Sequence, residues 1–454
     1  MNKSVIYYLI DGARPDILSK LSQQGKIPNI TQYLIENGSF VKGTTCLPST
    51  TGPAYLPMLT GHYPGEHDIT GIRWFDKAQY FKSSRWNRGA MRSYCGYEAK
   101  YFNDDMNVAF PSLFEEVKSS ANIYNMITKG VSDEDDVTKS IKTKLYFNAH
   151  FKHLHHPVDE AGHQKLLESL DQQRQFTFAV FPSIDWDSHT YHYDDERTHQ
   201  SYQIVDRSLG EVIQKLKNQG RYEDTLIVMS SDHGLSSTHS HFDLGKYFKS
   251  RGYRVLEYPN IIALRPQIVV SISGNSFASL SLLDQQEEYY EAELLDRHGE
   301  TLRDFIKQPA IDFIIYRHSP DKYTLEGHRG VARVYQEDGA YYYDAIEGDP
   351  LDLGGNHSSL SAQDAFELSI DSDYPDSLFQ ICQLMKSKRA GDILVCAADG
   401  HDLRDFWEYP EHKGSHGSLH KDHMLMPILT NQKDLIPHPV RSNRIHQVIK
   451  EWLV

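Results

Sequence analysis

Apolar residues in this chain gather into short unbroken runs. Residues 5–10 (Val-Ile-Tyr-Tyr-Leu-Ile), 176–181 (Phe-Thr-Phe-Ala-Val-Phe), 224–231 and 392–398 are of this kind. Such runs predict strands covered on both faces, as in a parallel sheet. Residues 41–47 predict a further strand, and 123–127 another. Gly52-Pro53 reads as a turn and a first helical position, and Gly61 closes the short helix between them. Residues 30–36, 110–117 and the amphipathic stretch 197–216 predict helices. The resulting class is α/β, a mostly parallel central sheet flanked by helices. From 253 to about 390 short β-like runs (268–272, 277–283, 313–316, 331–335) alternate with acidic stretches. The expected organisation is therefore a core of 1–252 and 391–454, with an inserted α+β lobe over 253–390. Residues 62–105 are rich in aromatic, Arg and Gly residues with poor periodicity, and are expected to form an irregular rim beside the site.

A chain of 454 residues, 39% hydrophobic, is long enough for a large core. Its net charge of -15, from 62 acidic and 47 basic residues with no basic block, argues against a nucleic-acid backbone or an anionic membrane as partner. The four cysteines (Cys46, Cys95, Cys382, Cys396) are scattered without CxxC pairs, so neither a disulfide framework nor a zinc knuckle is expected. No segment nears the ~18 apolar residues of a membrane span, and the first strand follows Met1 too closely for a signal peptide. The expectation is a cytoplasmic protein of unspecified oligomeric state.

The 24 histidines change this picture, because several stand next to Asp or Gly at strand ends. Asp11 ends the first run, and in open α/β sheets the carboxyl edge is where ligands bind. Ser49, Thr50 and Thr51 follow the second strand, at a turn whose N–H groups suit an alkoxide or a phosphate. Asp185 and His189 lie four apart past the 176–181 strand and can converge if the loop turns as a helix. Asp232-His233-Gly234 ends the 224–231 strand, and Lys413-Gly414-Ser415-His416-Gly417 follows the last one. Asp11, Asp185, Asp232, His189, His233 and His416 make a mixed O/N set suited to zinc, with manganese or iron as alternatives. With the hydroxyl of Thr51 the set numbers seven, too many for one tetrahedral ion and right for two. Two cations ~4 Å apart can clamp both oxygens of a phosphoryl transfer. The run His150, His153, His155, His156 has no acidic partner at useful spacing and reads as a solvated helix or loop; His239 and His241 read as loop histidines. Arg73 and Arg92 are candidates to hold a substrate anion.

These motifs resemble the alkaline phosphatase superfamily, most closely its type I phosphodiesterase/nucleotide pyrophosphatase branch. The resemblance covers roughly residues 4–245 and 390–435. It rests on the strand-end Asp11, Pro48-Ser49-Thr50-Thr51 with Leu59-Thr60-Gly61, Asp185-x-x-x-His189, Asp232-His233-Gly234 and Gly414-x-His416-Gly417. It implies Thr51 as nucleophile, one metal on Asp185, His189 and His416, and the other on Asp11, Thr51, Asp232 and His233. The implied reaction is attack of Thr51 on phosphorus, a covalent phospho- or nucleotidyl-threonine, and then its hydrolysis, on a small-molecule phosphoester. Two departures stand out. Eukaryotic nucleotide pyrophosphatases carry an Asn three residues after the nucleophile, where this chain has Ala54. Cys46-Leu47-Pro48-Ser49 resembles the sulfatase Cys-x-Pro-Ser-Arg signature, but the fifth position is Thr50. Relatives also place the nucleophile nine residues before the Thr of Thr-Gly. Counting back from Thr60 selects Thr51 and leaves Cys46 five residues early. A phosphomonoesterase or phosphonate hydrolase on the same site is the alternative function, ahead of a sulfatase or a non-hydrolytic phosphomutase relative.

Overall fold

Ser4–Ile10 is buried along its whole length and lies in the interior of a seven-stranded sheet. In the computed structural model, which describes residues 3–82, 88–258, 265–404, 408 and 411–454, this sheet is built from β1 (Ser4–Ile10), β2 (Ser39–Thr44), β3 (Ser120–Ile123), β4 (Phe176–Phe181), β5 (Thr225–Ser230), β6 (Leu425–Thr430) and β7 (Val440–Arg441). Their spatial order is β7-β2-β6-β5-β1-β4-β3. The pairs β1–β4, β1–β5, β3–β4 and β2–β7 are parallel, and β6 is antiparallel to both its neighbours. Burying each large apolar side chain of such a strand contributes ~1.5–3 kcal/mol. Both faces are covered, and the helix Glu196–Asn218 buries one side and exposes the other, as its periodicity requires.

Local chemistry moves several predicted boundaries. The strand expected at 123–127 ends at Ile123 instead, and Tyr124 already has φ +61°, which no strand continues. Its buried residues Ser120, Ala121 and Asn122 are not an apolar run, and the Asn122 amide N–H donates to Asp136 at 3.1 Å. The helix expected over 110–117 is only Leu113–Glu116, held by a Ser112/Glu115 capping box. The polar loop expected after Leu235 is the strand Ser236–His241, parallel to Gly400–Asp402 and antiparallel to Gly414–Ser415. It stays in place through bonds such as Thr238 to Ser415 at 3.0 Å, which a hydropathy pattern does not show. Of the expected rim, residues 83–87 lie outside the described residues.

The middle of the chain forms a second, nine-stranded and mostly antiparallel sheet from Val255–Glu257 to His357–Leu360. An interior position in it is taken by Ile393–Ala397, which the sequence pattern groups with the core. That strand pairs with Phe277–Leu282 and Ile311–Ser319 because its side chains fill the cores on both faces of the second sheet. A hairpin turn of this sheet, between Ile268–Ser273 and Phe277–Leu282, reaches back to the first sheet's site. There His416 N–H donates to the Gly274 carbonyl at 2.8 Å, and Ser276 N–H to the His416 carbonyl at 2.8 Å.

Candidate active site

The carboxyl edge of the first sheet gathers what the strands deliver. Asp11 follows β1, Asp185 and His189 lie on the helix Ser183–Tyr191 that follows β4, and Asp232-His233 follows β5. Asp11, Asp185, Asp232 and His233 are buried, and His416 arrives on the loop after Gly414–Ser415. Helical spacing sets His189 Nε2 3.3 Å from Asp185 Oδ1, and His416 Nε2 lies 3.9 Å from the same oxygen. His233 Nε2 lies 3.5 Å from Asp11 Oδ1 and 3.4 Å from Asp232 Oδ2. Two sets of donor atoms converge within 4.8 Å of one another, Asp185/His189/His416 and Asp11/Asp185/His233, so Asp185 borders both.

The three imidazoles share one orientation. Each Nδ1–H donates to a backbone carbonyl: His189 to Gly414 (2.7 Å), His233 to Gly234 (2.9 Å) and His416 to Ser49 (2.9 Å). With Nδ1 committed in this way, Nε2 presents its lone pair to the centre, the arrangement second-shell partners impose on metal-binding histidines. The carboxylates point the same way. Asp185 Oδ1 and Asp232 Oδ2 are buried without a hydrogen-bond partner. Burial, reinforced by the charges of Asp232 and Asp185, pushes Asp11 well above the ordinary carboxylate range. Burial also raises Asp232, against the pull of His233. For Asp185 burial acts upward too, but the charges of His189, His416 and His233 outweigh it and hold the group low. Crowded carboxylates with orphaned oxygens are costly unless a cation compensates them. The residues present therefore fit divalent metal.

Thr51 faces this cluster. Its Oγ1 lies 3.2 Å from His233 Nε2 and 3.4 Å from Asp11 Oδ1. The neighbouring hydroxyl of Ser49 is used otherwise, donating to the Ser418 carbonyl at 2.8 Å. Thr51 is not an N-cap: the helix begins at Tyr55, and Thr51 sits in the tight turn before it, next to Gly52 at φ +92°. The turn needs glycine for this φ, since a Cβ there would meet first only the flexible end of Met126, its Sδ at 2.9 Å. Cys46 is fully buried with Ala54 and Tyr63, away from the pocket, and its thiol is directed to the Pro48 carbonyl at 3.7 Å. Burial pushes that thiol far up, so Cys46 is no reactive group and the sulfatase reading loses its nucleophile. The Ala54 methyl sits in the same small core, so that position supplies no donor to the pocket.

The metal-type cluster forms one end of a cavity of about 620 Å³. Aromatic side chains from several segments make up much of its wall, among them Tyr55, Tyr94, Tyr146, Phe147 and Trp186. Arg73 lines it while donating to the Ile272 carbonyl at 3.2 Å. Arg92 is instead paired with Asp105 at 2.9 Å. Lys142, from the helix Lys139–Lys152, is a cation that sequence reasoning missed; it lines the cavity and donates to the Tyr124 carbonyl at 2.7 Å. Burial pulls its ammonium down to about 8, against the charge of Asp136. Asn275 and His412 also line the wall and are hydrogen-bonded to each other at 3.3 Å, with the His412 ring 4.5 Å from that of His189. Position alone marks these residues, since each comes from a segment with no motif; His412, two residues before Gly414, was the one within reach of a motif search. The histidine run divides: His150 and His153 are exposed, as a solvated helix end requires, whereas His155 is buried and meets Asp187 at 2.6 Å, and His156 meets the same carboxylate at 3.0 Å. The acidic partner lies 32 residues away in sequence, so local spacing could not reveal it.

Gly12 shows how tightly the centre is built. It has φ +70°, and a Cβ there would lie 2.9 Å from the Asp185 Cβ and 3.0 Å from its Oδ1. Gly12→Ala is expected to cost ~1–3 kcal/mol of stability, by strain at positive φ and contact with Asp185. Activity should fall further than that loss explains, because the residue displaced is Asp185. Denaturant midpoints beside turnover numbers check this, and a variant with unchanged turnover would show that Asp185 tolerates the shift.

No curated protein sequence matches the chain. Among solved structures, phosphonoacetate hydrolase from Sinorhizobium meliloti 1021, in complex with phosphonoformate, is similar with a TM-score of 0.59 at 15% identity, over 99% of this chain and 96% of that one. Murine ectonucleotide pyrophosphatase/phosphodiesterase 5 is similar with a TM-score of 0.56 at 14% identity, over 99% and 95%. The murine protein is also known as an inactive threonine-to-alanine form in complex with AMP. The architecture is accordingly that of the alkaline phosphatase-like hydrolases. A family model described as type I phosphodiesterase / nucleotide pyrophosphatase matches residues 5–419. Covering the second sheet, five of the seven strands of the first and every strand-end residue named above, that match means that the chain belongs to the type I phosphodiesterase / nucleotide pyrophosphatase family of metal-dependent phosphoester hydrolases.

Proposed function

We propose that the protein hydrolyses a small-molecule phosphodiester through a covalent phosphothreonine on Thr51, with two divalent cations held by Asp185, His189 and His416 and by Asp11, Thr51, Asp232 and His233. The observation that carries the reading is that Thr51 Oγ1 faces both His233 Nε2 and Asp11 Oδ1, next to carboxylate oxygens that lack any partner. Zinc fits this N/O set, with manganese or iron as alternatives. When bound, such ions supply charge neutralisation for the phosphoryl oxygens and lower the pKa of a coordinated hydroxyl. The protein does the rest by positioning. The turn at Gly52 aims the Thr51 oxygen at phosphorus, and an oxygen–phosphorus bond forms there as the bond to the leaving alkoxide breaks. The alcohol departs with a proton. Water then attacks the phosphothreonine, the Thr51–phosphorus bond breaks, and the monoester product leaves with Thr51 again a hydroxyl. The aromatic wall suits an organic group on the ester, which a diester carries at both ends.

The test is a panel of nitrophenyl mono- and diesters, run with the metal-stripped protein reconstituted with zinc or manganese. Diester hydrolysis that depends on added metal supports the reading, and inactivity with every metal and ester overturns it. One observation favours a second reading on the same centre, a phosphonate or monoester substrate. Lys142 places a cation in the cavity, and an anionic tail or a doubly charged phosphate would be drawn to it. Lys142→Met is then expected to raise KM for the more highly charged substrates about tenfold or more, the worth of one charge-assisted hydrogen bond. KM for singly charged diesters should move little. Steady-state kinetics on both classes separates the two readings.

A further inference from the structure

A second convergence of metal-type donors lies beside the pocket, in the small three-stranded sheet. The strands Ser236–His241 and Gly400–Asp402 run parallel with His241 opposite Asp402, and Glu408 meets the same imidazole. His241 Nδ1 lies 2.9 Å from Asp402 Oδ2 and 2.7 Å from Glu408 Oε1. One donor atom from each residue falls within 4.8 Å of the others. Asp402 is 0% exposed and Glu408 5%, so neither carboxylate is a solvated surface charge. Most telling is Glu408 Oε2, which is buried with no hydrogen-bond partner.

Charge arithmetic shows what the cluster lacks. The single Nδ1 position can carry one proton, yet two carboxylates aim at it. Backbone groups help only in part: Arg404 N–H donates to Asp402 Oδ1 at 3.0 Å, and His412 N–H to Glu408 Oε1 at 2.9 Å. The Arg404 guanidinium is paired with Glu411 at 3.1 Å. Two buried carboxylates facing one imidazole thus remain short of positive charge even with an imidazolium. We infer that His241, Asp402 and Glu408 form a third divalent-cation site, of the zinc or manganese class, separate from the two sets at the centre. An imidazole nitrogen with two carboxylate oxygens matches the donor preference of those ions. The site would anchor the loop that carries His412, and through it the wall next to His189. Its role is to position that wall, which Glu408 itself lines.

The experiment is metal analysis of the full chain, saturated with Mn²⁺ or Zn²⁺ and freed of excess ion. Wild type is expected to hold three ions per chain, and Asp402→Asn or His241→Gln one fewer. A variant of both inner sites, Asp185→Asn and His189→Gln combined with Asp11→Asn and His233→Gln, should still bind an ion whose affinity falls at least tenfold when Asp402→Asn is added. Histidine-nitrogen coupling in the spin resonance of Mn²⁺ bound to this inner variant should vanish with His241→Gln. This readout does not depend on catalysis, so the outer site can fail while the catalytic reading stands, and the reverse. An inner variant that retains no ion, or one whose ion ignores both outer substitutions, overturns the inference and leaves a carboxyl–carboxylate pair sharing a proton. Wild-type stoichiometry decides the matter if the outer variants do not fold, and two ions per chain there count against the site.

Discussion

Thr51→Ala is expected to lower turnover of nitrophenyl diesters by about ten-thousand-fold or more, the scale on which loss of a nucleophile acts. The reason is geometric. Ser49 is bonded to the Ser418 carbonyl, Cys46 is buried elsewhere, and Thr51 Oγ1 lies 3.2 Å from His233 Nε2 and 3.4 Å from Asp11 Oδ1. Stability should change by less than ~1 kcal/mol, because those bonds are long and the side chain is only half-buried. Thr51→Ser keeps the oxygen and should recover most of the activity. Mass analysis of acid-quenched wild type during turnover is expected to find the phosphoryl adduct on the peptide carrying Thr51, and none in the alanine variant. An alanine variant that turns over at the wild-type rate would remove Thr51 as nucleophile and leave the pocket with a water-attack mechanism.

How much of this was legible in the sequence depends on where each residue's partner lies. Asp11, Asp185, Asp232, His189 and His233 follow apolar runs directly, so their strand-end placement could be read from local pattern, and the structure brings them together with Thr51 and His416. His416 was visible only through its Gly-flanked motif; its position depends on Gly274, a turn of the second sheet more than a hundred residues earlier in the chain. A Cβ on Gly274 would come within 2.6 Å of both His416 Nδ1 and its carbonyl oxygen, a constraint no single segment displays. The same applies to Asp187 beneath His155, to Lys142 in the cavity wall, and to His241, which looks like a polar loop residue until Asp402 is placed opposite it. Strand Ile393–Ala397 shows the limit on the fold. Its apolar run is as core-like as that of β1, and hydrophobicity alone does not say which of two sheets it joins. Periodicity identifies an element; partner choice is a tertiary decision.

Stripping the divalent cations with a chelator should abolish turnover and lower the thermal midpoint, by a deficit that widens as pH rises. The three buried carboxylates of the centre are the cause. Asp185 Oδ1 and Asp232 Oδ2 have no hydrogen-bond partner, and burial followed by like charge pushes Asp11 far above its ordinary value. Without cations the least costly way to keep these groups buried is to protonate Asp11 and Asp232. A carboxyl whose folded pKa is raised above its unfolded value favours the fold while it is protonated. That contribution is complete below the unfolded value of ~3.9 and is lost as pH climbs through the raised folded value. Asp185 acts in the opposite sense, since His189 holds it low, but it is one group against two. In the loaded protein the carboxylates are ionised throughout, so this slope is absent. Binding at about a thousand times the dissociation constant adds ~4 kcal/mol per site to the loaded form. Scanning calorimetry of stripped and loaded protein at about pH 5 and about pH 8 should show the gap growing toward the higher pH. Readdition of zinc or manganese should close the gap and restore turnover together. Equal midpoints at both pH values would mean that the carboxylates find their compensation within the protein, and the metal-dependent reading of this centre would lose its thermodynamic basis.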